Sequence, residues 1–205
     1  FLQCELPVDP ERGLVGRFDT PGNAKDVVVS GEYAFLADDF SGLQIIRIND
    51  SNNPRLVSSV DTPGDAVGIV VSGNYAYVAD WSFGLQVVDI SDPAIPKLVG
   101  SCHTPGIANG IAIFGNHAFV ADGPSGIQVI DISNPSTPSL ICSYDTEGDA
   151  IDVFAFGNYA YVADGMFGLQ ILDIRNPAAP KLAGSYDTPG LAQAIAVKGI
   201  YAYLA

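Results

Sequence analysis

The sequence predicts an all-β fold, a five-bladed β-propeller with four antiparallel strands in each blade. Thr-Pro-Gly, or once Thr-Glu-Gly, recurs every 42 residues, at 20–22, 62–64, 104–106, 146–148 and 188–190. A segment like Tyr-Ala-Phe-Leu-Ala-Asp recurs with the same spacing, at 33–38, 75–80, 117–122, 159–164 and, in part, 201–205. A period of about 40–45 residues built from strand-forming residues indicates one four-stranded blade per repeat. Helical periodicity is absent.

Residues 66–104 illustrate the order of elements in one blade. We expect strand a at 66–72, strand b at 75–80, strand c at 84–90 and strand d at 97–103. Gly73 opens a two-residue turn between strands a and b, and glycine at this position is typical of type II′. Segment 91–96 carries two prolines, which lack the amide donor that a sheet needs, so it connects strands c and d. Pro105-Gly106 predicts a type II turn before the next strand a.

The two ends of the chain are expected to share one blade. Residues 1–6 (FLQCEL) align with 85–90 (LQVVDI), two repeats later. The amino terminus would then supply strand c and a strand d at about 13–20, while 192–198 and 201–205 supply strands a and b. Pairing these strands closes the ring and covers its edges. The chain 1–205 is thus expected to be a single domain, the alternative being a segment of a larger, for example seven-bladed, ring.

Composition limits the possible partners. The 205 residues are 48% apolar and 16% charged, which suits one domain with a large core. A net charge of −14 disfavours nucleic acid and anionic membranes as partners. The sequence has no run of 18 apolar residues, so we expect no membrane insertion. Cys4, Cys102 and Cys142 lack the spacing of a metal site, and we expect buried or free thiols.

Strand c and the segments after it carry a resemblance to a known family. LQVVDI at 85–90, IQVIDI at 127–132 and LQILDI at 169–174 are each followed by (Asn/Asp)-Pro-x-x-Pro and a strand similar to Gly-Ser-Tyr-Asp-Thr-Pro-Gly. This pattern resembles the LVIVD-repeat family of β-propellers over almost the whole chain. The resemblance implies an exported or cell-surface protein, because the family is found mostly in such bacterial and archaeal proteins. It implies no particular activity and no site residues.

Differences between the repeats indicate where a ligand would bind. The variable positions cluster in the b–c loops and the d–a segments, which lie on one face of a propeller; we call it the loop face. Aromatic side chains beside carboxylates and amides suit stacking on a sugar or anchoring a protein. For the phenylalanines, the alternative is local core between blades. The candidate ligand-binding residues are Phe40, Asp65, Trp81, Phe83, Asn109, Asp149, Met166 and Phe167.

Aspartates recur at the loop-face ends of strands b and d. No Ca²⁺-loop motif accompanies them, and aspartates next to turns commonly accept hydrogen bonds from turn amides. We therefore expect them to hold turns, with the strand-b set holding the b–c turn, and we expect no metal site. His103 replaces one strand-d aspartate and is expected to be a tolerated substitution. The aspartates are Asp38, Asp80, Asp122 and Asp164 in strand b, and Asp19, Asp61, Asp145 and Asp187 in strand d.

The sequence contains no evident catalytic set, Gly-rich phosphate loop or cofactor motif. The favoured interpretation is a monomeric, non-enzymatic, extracytoplasmic recognition module for a glycan or a protein. One alternative is a glycoside-active enzyme that uses Asp26 and Asp152 near the axis, and the competing role for these carboxylates is bonding to neighbouring backbone amides. A second alternative is a structural spacer with no ligand of its own.

Overall fold

The computed structural model describes residues 14–205, which form antiparallel β-sheets and contain no helix. This part of the chain contains four four-stranded sheets, and in each the strands are adjacent in chain order. We number them sheets 1 to 4 from the amino terminus. A two-stranded sheet, β17 (Ile195–Lys198) and β18 (Tyr201–Leu204), follows them and is called the terminal hairpin.

Each four-stranded sheet is built from one repeat. Sheet 1 contains β1 (Asp26–Ser30), β2 (Tyr33–Ala37), β3 (Leu43–Arg47) and β4 (Arg55–Val60). Sheet 2 contains β5 (Gly68–Ser72), β6 (Tyr75–Ala79), β7 (Leu85–Asp89) and β8 (Lys97–Cys102). Sheet 3 contains β9 (Gly110–Phe114), β10 (His117–Ala121), β11 (Ile127–Asp131) and β12 (Ser139–Tyr144). Sheet 4 contains β13 (Asp152–Phe156), β14 (Tyr159–Ala163), β15 (Leu169–Asp173) and β16 (Lys181–Tyr186).

The strands and the a–b hairpin turn agree with the sequence prediction. In sheet 2 every observed boundary lies within two residues of the predicted one. Gly73 has φ of 58°, the left-handed value that a type II′ turn needs at its first central position. Glycine is required there because other residues rarely adopt this dihedral.

The prediction of a type II turn at Pro105-Gly106 is wrong. A type II turn needs positive φ at its glycine, and Gly106 does not have one. The glycine is required for space instead, because a Cβ at this position would collide with the Asp122 carbonyl. At the equivalent Gly64, a Cβ would lie 2.6 Å from the Asp80 carbonyl oxygen.

A buried aspartate holds the segment that leads into each of the four-stranded sheets. The Thr62 hydroxyl donates to Asp80 Oδ1 at 2.6 Å, and the Gly64 amide donates to Oδ2 at 2.9 Å. Equivalent hydrogen bonds are made by Asp38 and Asp122, while Asp164 keeps the glycine bond alone. The expectation that these aspartates accept turn amides is therefore confirmed, but the turn is the d–a turn and not the b–c turn.

Neighbouring sheets pack through equivalent apolar interfaces. Phe35 and Ile45 of sheet 1 pack against Ile69 and Val78 of sheet 2, and all four are at most 6% exposed. Corresponding clusters join sheet 2 to sheet 3, sheet 3 to sheet 4, and sheet 4 to the terminal hairpin. Isolated β-bridges reinforce these four interfaces at equivalent positions, at Asp39–Ala66, Trp81–Ala108, Gly123–Ala150 and Gly165–Ala192.

The ends of the array differ from the prediction of a closed ring. The expected pairing of residues 1–6 lies outside the described residues. The described part of the strand predicted at 13–20 forms no strand, whereas 192–205 contain the expected hairpin. Val27 and Val29 of β1 and Tyr203 of β18 are 57%, 62% and 57% exposed. Residues 14–205 therefore establish a series of antiparallel sheets with an uncovered apolar face at each end.

Removing one of the buried carboxylates should destabilise the fold. In the Asp80→Ala variant, the Thr62 hydroxyl and the Gly64 amide lose their acceptor. Because Thr62 is buried, we expect the free energy of unfolding to fall by roughly 2–4 kcal/mol. Urea denaturation measures this change. The control is Asp61→Ala, which removes an exposed carboxylate and should change stability by less than about 0.5 kcal/mol. Equal losses in the two variants would contradict the assignment.

Candidate functional site

One cavity on the loop face brings together half of the predicted site residues. It has a volume of about 500 Å³ and lies where sheets 1 and 2 meet. Its walls are Phe40, the segment 61–65 that leads into sheet 2, and the loop 81–83. Phe40, Asp65, Trp81 and Phe83 thus share one site, although they are far apart in sequence.

A second cavity occupies the equivalent place two repeats later. It has a volume of about 750 Å³ and is lined by Pro124, the segment 145–149, Met166 and Phe167. Three predicted residues, Asp149, Met166 and Phe167, therefore lie here and not beside Trp81. We call these two the loop-face cavities.

Both loop-face cavities combine carboxylates with exposed apolar side chains. Asp61 and Asp65 line the first, and Asp145, Glu147 and Asp149 line the second; among residues 14–205, no lysine or arginine lines either. The sequence analysis did not select Glu147, although it stands where the other repeats have the proline of Thr-Pro-Gly. That single departure from the repeat was the available signal.

The aromatic side chains of these cavities are not local core. Phe40 is 65% exposed, Phe83 47% and Phe167 43%. Phe83 and Phe167 also pack over the glycines at 64 and 148, where a Cβ would meet their rings. Each ring is thus held on one side and open on the other, an arrangement that suits stacking on a ligand.

Trp81 has an unusual backbone conformation. Its φ is 43°, a left-handed value that is rare for a bulky residue. The equivalent residues are Asp39 and two glycines, Gly123 and Gly165, and all three also have positive φ. The conformation follows from the bridge to the next sheet, in which the Ala108 amide donates to the Trp81 carbonyl at 2.9 Å. The indole is 43% exposed, so a ligand can reach it.

A buried glutamine fixes the loop that carries Trp81 and Phe83. The Gln86 side-chain amide donates to the Phe83 carbonyl at 3.0 Å, and Gln86 is 2% exposed. Equivalent bonds are made by Gln44 and Gln128. Sequence reasoning missed this role, although glutamine recurs at the second position of strand c in every sheet, and that recurrence was the signal.

Asn109 lies in a third cavity, which we call the axial cavity. This cavity has a volume of about 280 Å³, and paired residues from all five repeats line it. The lining residues are Lys25, Asp26, Val67, Gly68, Asn109, Gly110, Ile151, Asp152, Gln193 and Ala194. Lys25 Nζ also forms an ion pair with Asp39 at 3.5 Å. Asn109 is therefore separate from both loop-face cavities.

Asp26 and Asp152 each link their own sheet to the next. Asp26 accepts the amides of Val27 and Ile69 at 2.7 and 2.9 Å. Asp152 accepts those of Val153 and Ile195 at 2.8 and 2.9 Å. Burial raises the pKa of Asp152, and the nearby charge of Asp26 adds to this effect. Because backbone amides engage both oxygens of each carboxylate, these bonds favour the structural role over the enzymatic one.

The strand-b aspartates and the two described cysteines lie in buried or half-buried environments. Burial raises the pKa of Asp80, Asp122 and Asp164, although hydrogen bonds oppose it. Cys102 and Cys142 are free, half-buried thiols, as expected, and Cys4 lies outside the described residues. Among residues 14–205, no group of three or more histidines, cysteines or acids is placed to hold a metal ion. The same part of the chain has no helix that could span a membrane.

Comparison with known proteins identifies the repeat. A family model described as the LVIVD repeat matches residues 21–62, 63–104, 105–146, 147–188 and 189–205. No curated protein matches the chain.

Several solved structures share the fold at low sequence identity. A functionally unknown protein from Desulfotomaculum acetoxidans DSM 771 has a TM-score of 0.72 and 17% identity, covering 92% of this chain and 64% of its own. The computationally designed Ika8 protein has a TM-score of 0.70 and 11% identity, and the match covers 87% of this chain and 54% of Ika8. The computationally designed Ika4 protein has a TM-score of 0.62 and 12% identity, and the match covers 77% of this chain and 95% of Ika4. The chain thus spans less than two thirds of the first two structures.

Replacing Trp81 by glycine should stabilise the protein. Glycine adopts the left-handed conformation without the steric cost that a tryptophan incurs, and Gly123 and Gly165 occupy the equivalent positions. We expect Trp81→Gly to raise the free energy of unfolding by about 1 kcal/mol, measured by urea denaturation.

The matched control is Gly123→Ala. A Cβ there would have its nearest neighbour at 3.6 Å, an ordinary contact, so the substitution tests the dihedral alone. We expect a loss of about 1 kcal/mol. A Trp81→Gly variant less stable than the parent would show that the indole contributes more by packing than it costs by strain.

Proposed function

This chain belongs to the LVIVD-repeat family, and from that premise we propose that it is a non-enzymatic recognition module of an exported or cell-surface protein. Its ligand, a glycan or a protein, binds on the loop face. One observation carries the proposal: the same kind of cavity occurs twice, two repeats apart, and each copy joins carboxylates to exposed apolar side chains.

The chemistry of the loop-face cavities favours recognition by stacking and hydrogen bonding. Partly exposed rings such as Trp81 and Phe83 can lie against the apolar face of a sugar or an aliphatic side chain. Asp65 and its neighbours accept hydrogen bonds from hydroxyl or ammonium groups. These carboxylates disfavour acidic ligands, so a neutral or basic glycan, or a protein surface with lysine or arginine, fits best.

The support beneath the cavities favours a preformed site. Gln86 and Asp80 hold the loop and the preceding turn through buried hydrogen bonds. A site held in this way loses little conformational entropy on binding. The two equivalent cavities also suit a ligand with repeated units, because simultaneous contact with both raises the overall affinity.

The binding experiment uses a glycan array and a pull-down with the parent and the Trp81→Gly variant. The variant keeps the backbone that the third and fourth repeats use, so a loss of binding reports on the indole and not on the fold. Removing a stacking contact worth about 1.4 kcal/mol would lower affinity about tenfold.

The control for binding is Phe156→Ser. Phe156 is an exposed aromatic at the a–b turn, on the face opposite the loop face, and the first two repeats carry Ser30 and Ser72 there. We expect it to bind like the parent. A ligand held equally by the parent and Trp81→Gly would place recognition elsewhere.

We also propose that the amino-terminal segment closes a ring of five blades. Thr20 and Gly22 bond to Asp38 as Thr62 and Gly64 bond to Asp80. A Cβ on Gly16 would meet Ser51 and Pro54, just as one on Gly100 would meet Pro135 and Pro138. Residues 16–22 thus contact sheet 1 as a preceding strand d and its turn would. The axial cavity, lined from all five repeats, also favours convergence on one axis.

Deleting residues 1–20 tests ring closure. If these residues complete a blade with the terminal hairpin, their loss exposes edge amides and apolar faces. We expect a large fall in melting temperature together with self-association, measured by calorimetry and sedimentation. Thr20→Ala is the control that removes only the bond to Asp38. A deletion variant that stays monomeric and melts within a few degrees of the parent would refute closure by this segment.

A further inference from the structure

Sheet 1 differs from the other sheets at one cross-strand pair on the face opposite the loop face. The last residue of the third strand and the first residue of the fourth lie opposite each other. The pair is Asp89–Lys97 in sheet 2 and Asp173–Lys181 in sheet 4, and Asp131–Ser139 in sheet 3. In sheet 1 it is Arg47–Arg55. Opposite charges attract at such positions and like charges directly opposite destabilise a sheet.

Neutral groups hold both guanidinium groups of this pair. Arg47 Nη2 donates to the Tyr33 hydroxyl at 3.0 Å, and the guanidinium carbon lies 5.5 Å from the ring centroid. When the Asn53 amide is oriented to satisfy its neighbours, its oxygen accepts from Arg55 Nε at 3.2 Å and from Nη2 at 2.6 Å. Within residues 14–205, neither arginine forms an ion pair.

The two arginines line a cavity of about 190 Å³ together with Asn49, Asp50 and Asn53. Asp50 is partly committed to the loop itself, because its Oδ1 accepts the Asn52 amide at 3.1 Å. The lining of the sheet 1 cavity therefore carries two positive charges against one negative charge, and the charge of Glu32, outside this lining, also acts on Arg47. This excess is local, in a chain whose net charge is −14.

The equivalent cavity in sheet 4 is a natural comparison. It is lined by Asp173, Arg175, Asn176, Ala179 and Lys181. There Arg175 is paired with Asp173 through several hydrogen bonds. Both linings therefore carry two cations and one carboxylate, but the carboxylate of sheet 4, Asp173, is paired with Arg175 and lies opposite Lys181. Within residues 14–205, the two arginines of sheet 1 lie opposite each other and neither is in an ion pair.

We propose that Arg47 and Arg55 form an oxyanion-binding site for a phosphate or sulfate group, separate from the loop face. A guanidinium presents a planar fork of donors that matches two oxygens of such a group. A dianion between the two forks would accept hydrogen bonds from both and cancel their repulsion. The Asn49 side-chain amide can supply a further donor.

The test follows the arginine side-chain Nε–H signals by NMR during titration with inorganic phosphate, inorganic sulfate and methyl phosphate. Chloride at matched ionic strength is the reference for general screening. We expect saturable shifts at Arg47 and Arg55 with the oxyanions. Saturation by methyl phosphate as well shows that the site accepts a phosphate ester, and saturation by the inorganic ions alone shows that it takes only a free anion.

The matched variant is Arg47→Asp with Arg55→Lys, which installs the pair that sheets 2 and 4 carry. It replaces a repulsive pair with an attractive one, so it should melt at or above the temperature of the parent. We expect it to bind the oxyanions at least tenfold more weakly. Arg47→Gln, which removes one charge, should also weaken binding and provides a second variant if the first fails to fold. The same shifts with chloride as with phosphate, or unchanged affinity in a folded variant, would overturn the proposal.

Discussion

The entry of the chain into each four-stranded sheet depends on one buried carboxylate. Asp80 is fully buried, and it binds the hydroxyl of Thr62 and the amide of Gly64 in the segment that enters its own sheet. Burial disfavours the charged carboxylate and raises its pKa, and the two hydrogen bonds offset part of that cost. Because the same contact recurs, the chain enters the four sheets in the same geometry, and the segments 61–65 and 145–149 that line the loop-face cavities are held in equivalent positions.

Most of the strands could be predicted because their signals are local. The glycine of each a–b hairpin and the prolines between strands c and d mark the element ends in the sequence itself. The prediction of a type II turn at Gly106 was wrong because this glycine is required by its close contact with Asp122, 16 residues away. The strand expected at 13–20 depends on a partner strand, and no local pattern supplies one.

The candidate site could be predicted only in part, because comparing the repeats shows which loop residues vary but not which of them meet in space. Comparing repeats placed Trp81, Phe83 and Phe40 on one face, and the structure brings them into one cavity. Asn109 was grouped with them because it also varies, but the bridge at Ala108 leaves the next residue lining the axial cavity. The opposition of Arg47 and Arg55 needs the strand register, which the sequence pattern did not provide.

The equivalence of the inter-sheet bridges has an evolutionary consequence. Each sheet meets its neighbour through the same backbone contact, made at Asp39, Trp81, Gly123 and Gly165. A gene can therefore gain or lose a whole 42-residue unit by recombination while the joints between the surviving units keep their form. Since backbone atoms make the joint, its side chain can change after duplication, at the steric cost of a positive φ when it is not glycine. Trp81 in one repeat and glycine in two others are an example of such a difference. A repeat can in this way acquire a new binding side chain while its backbone fold stays the same.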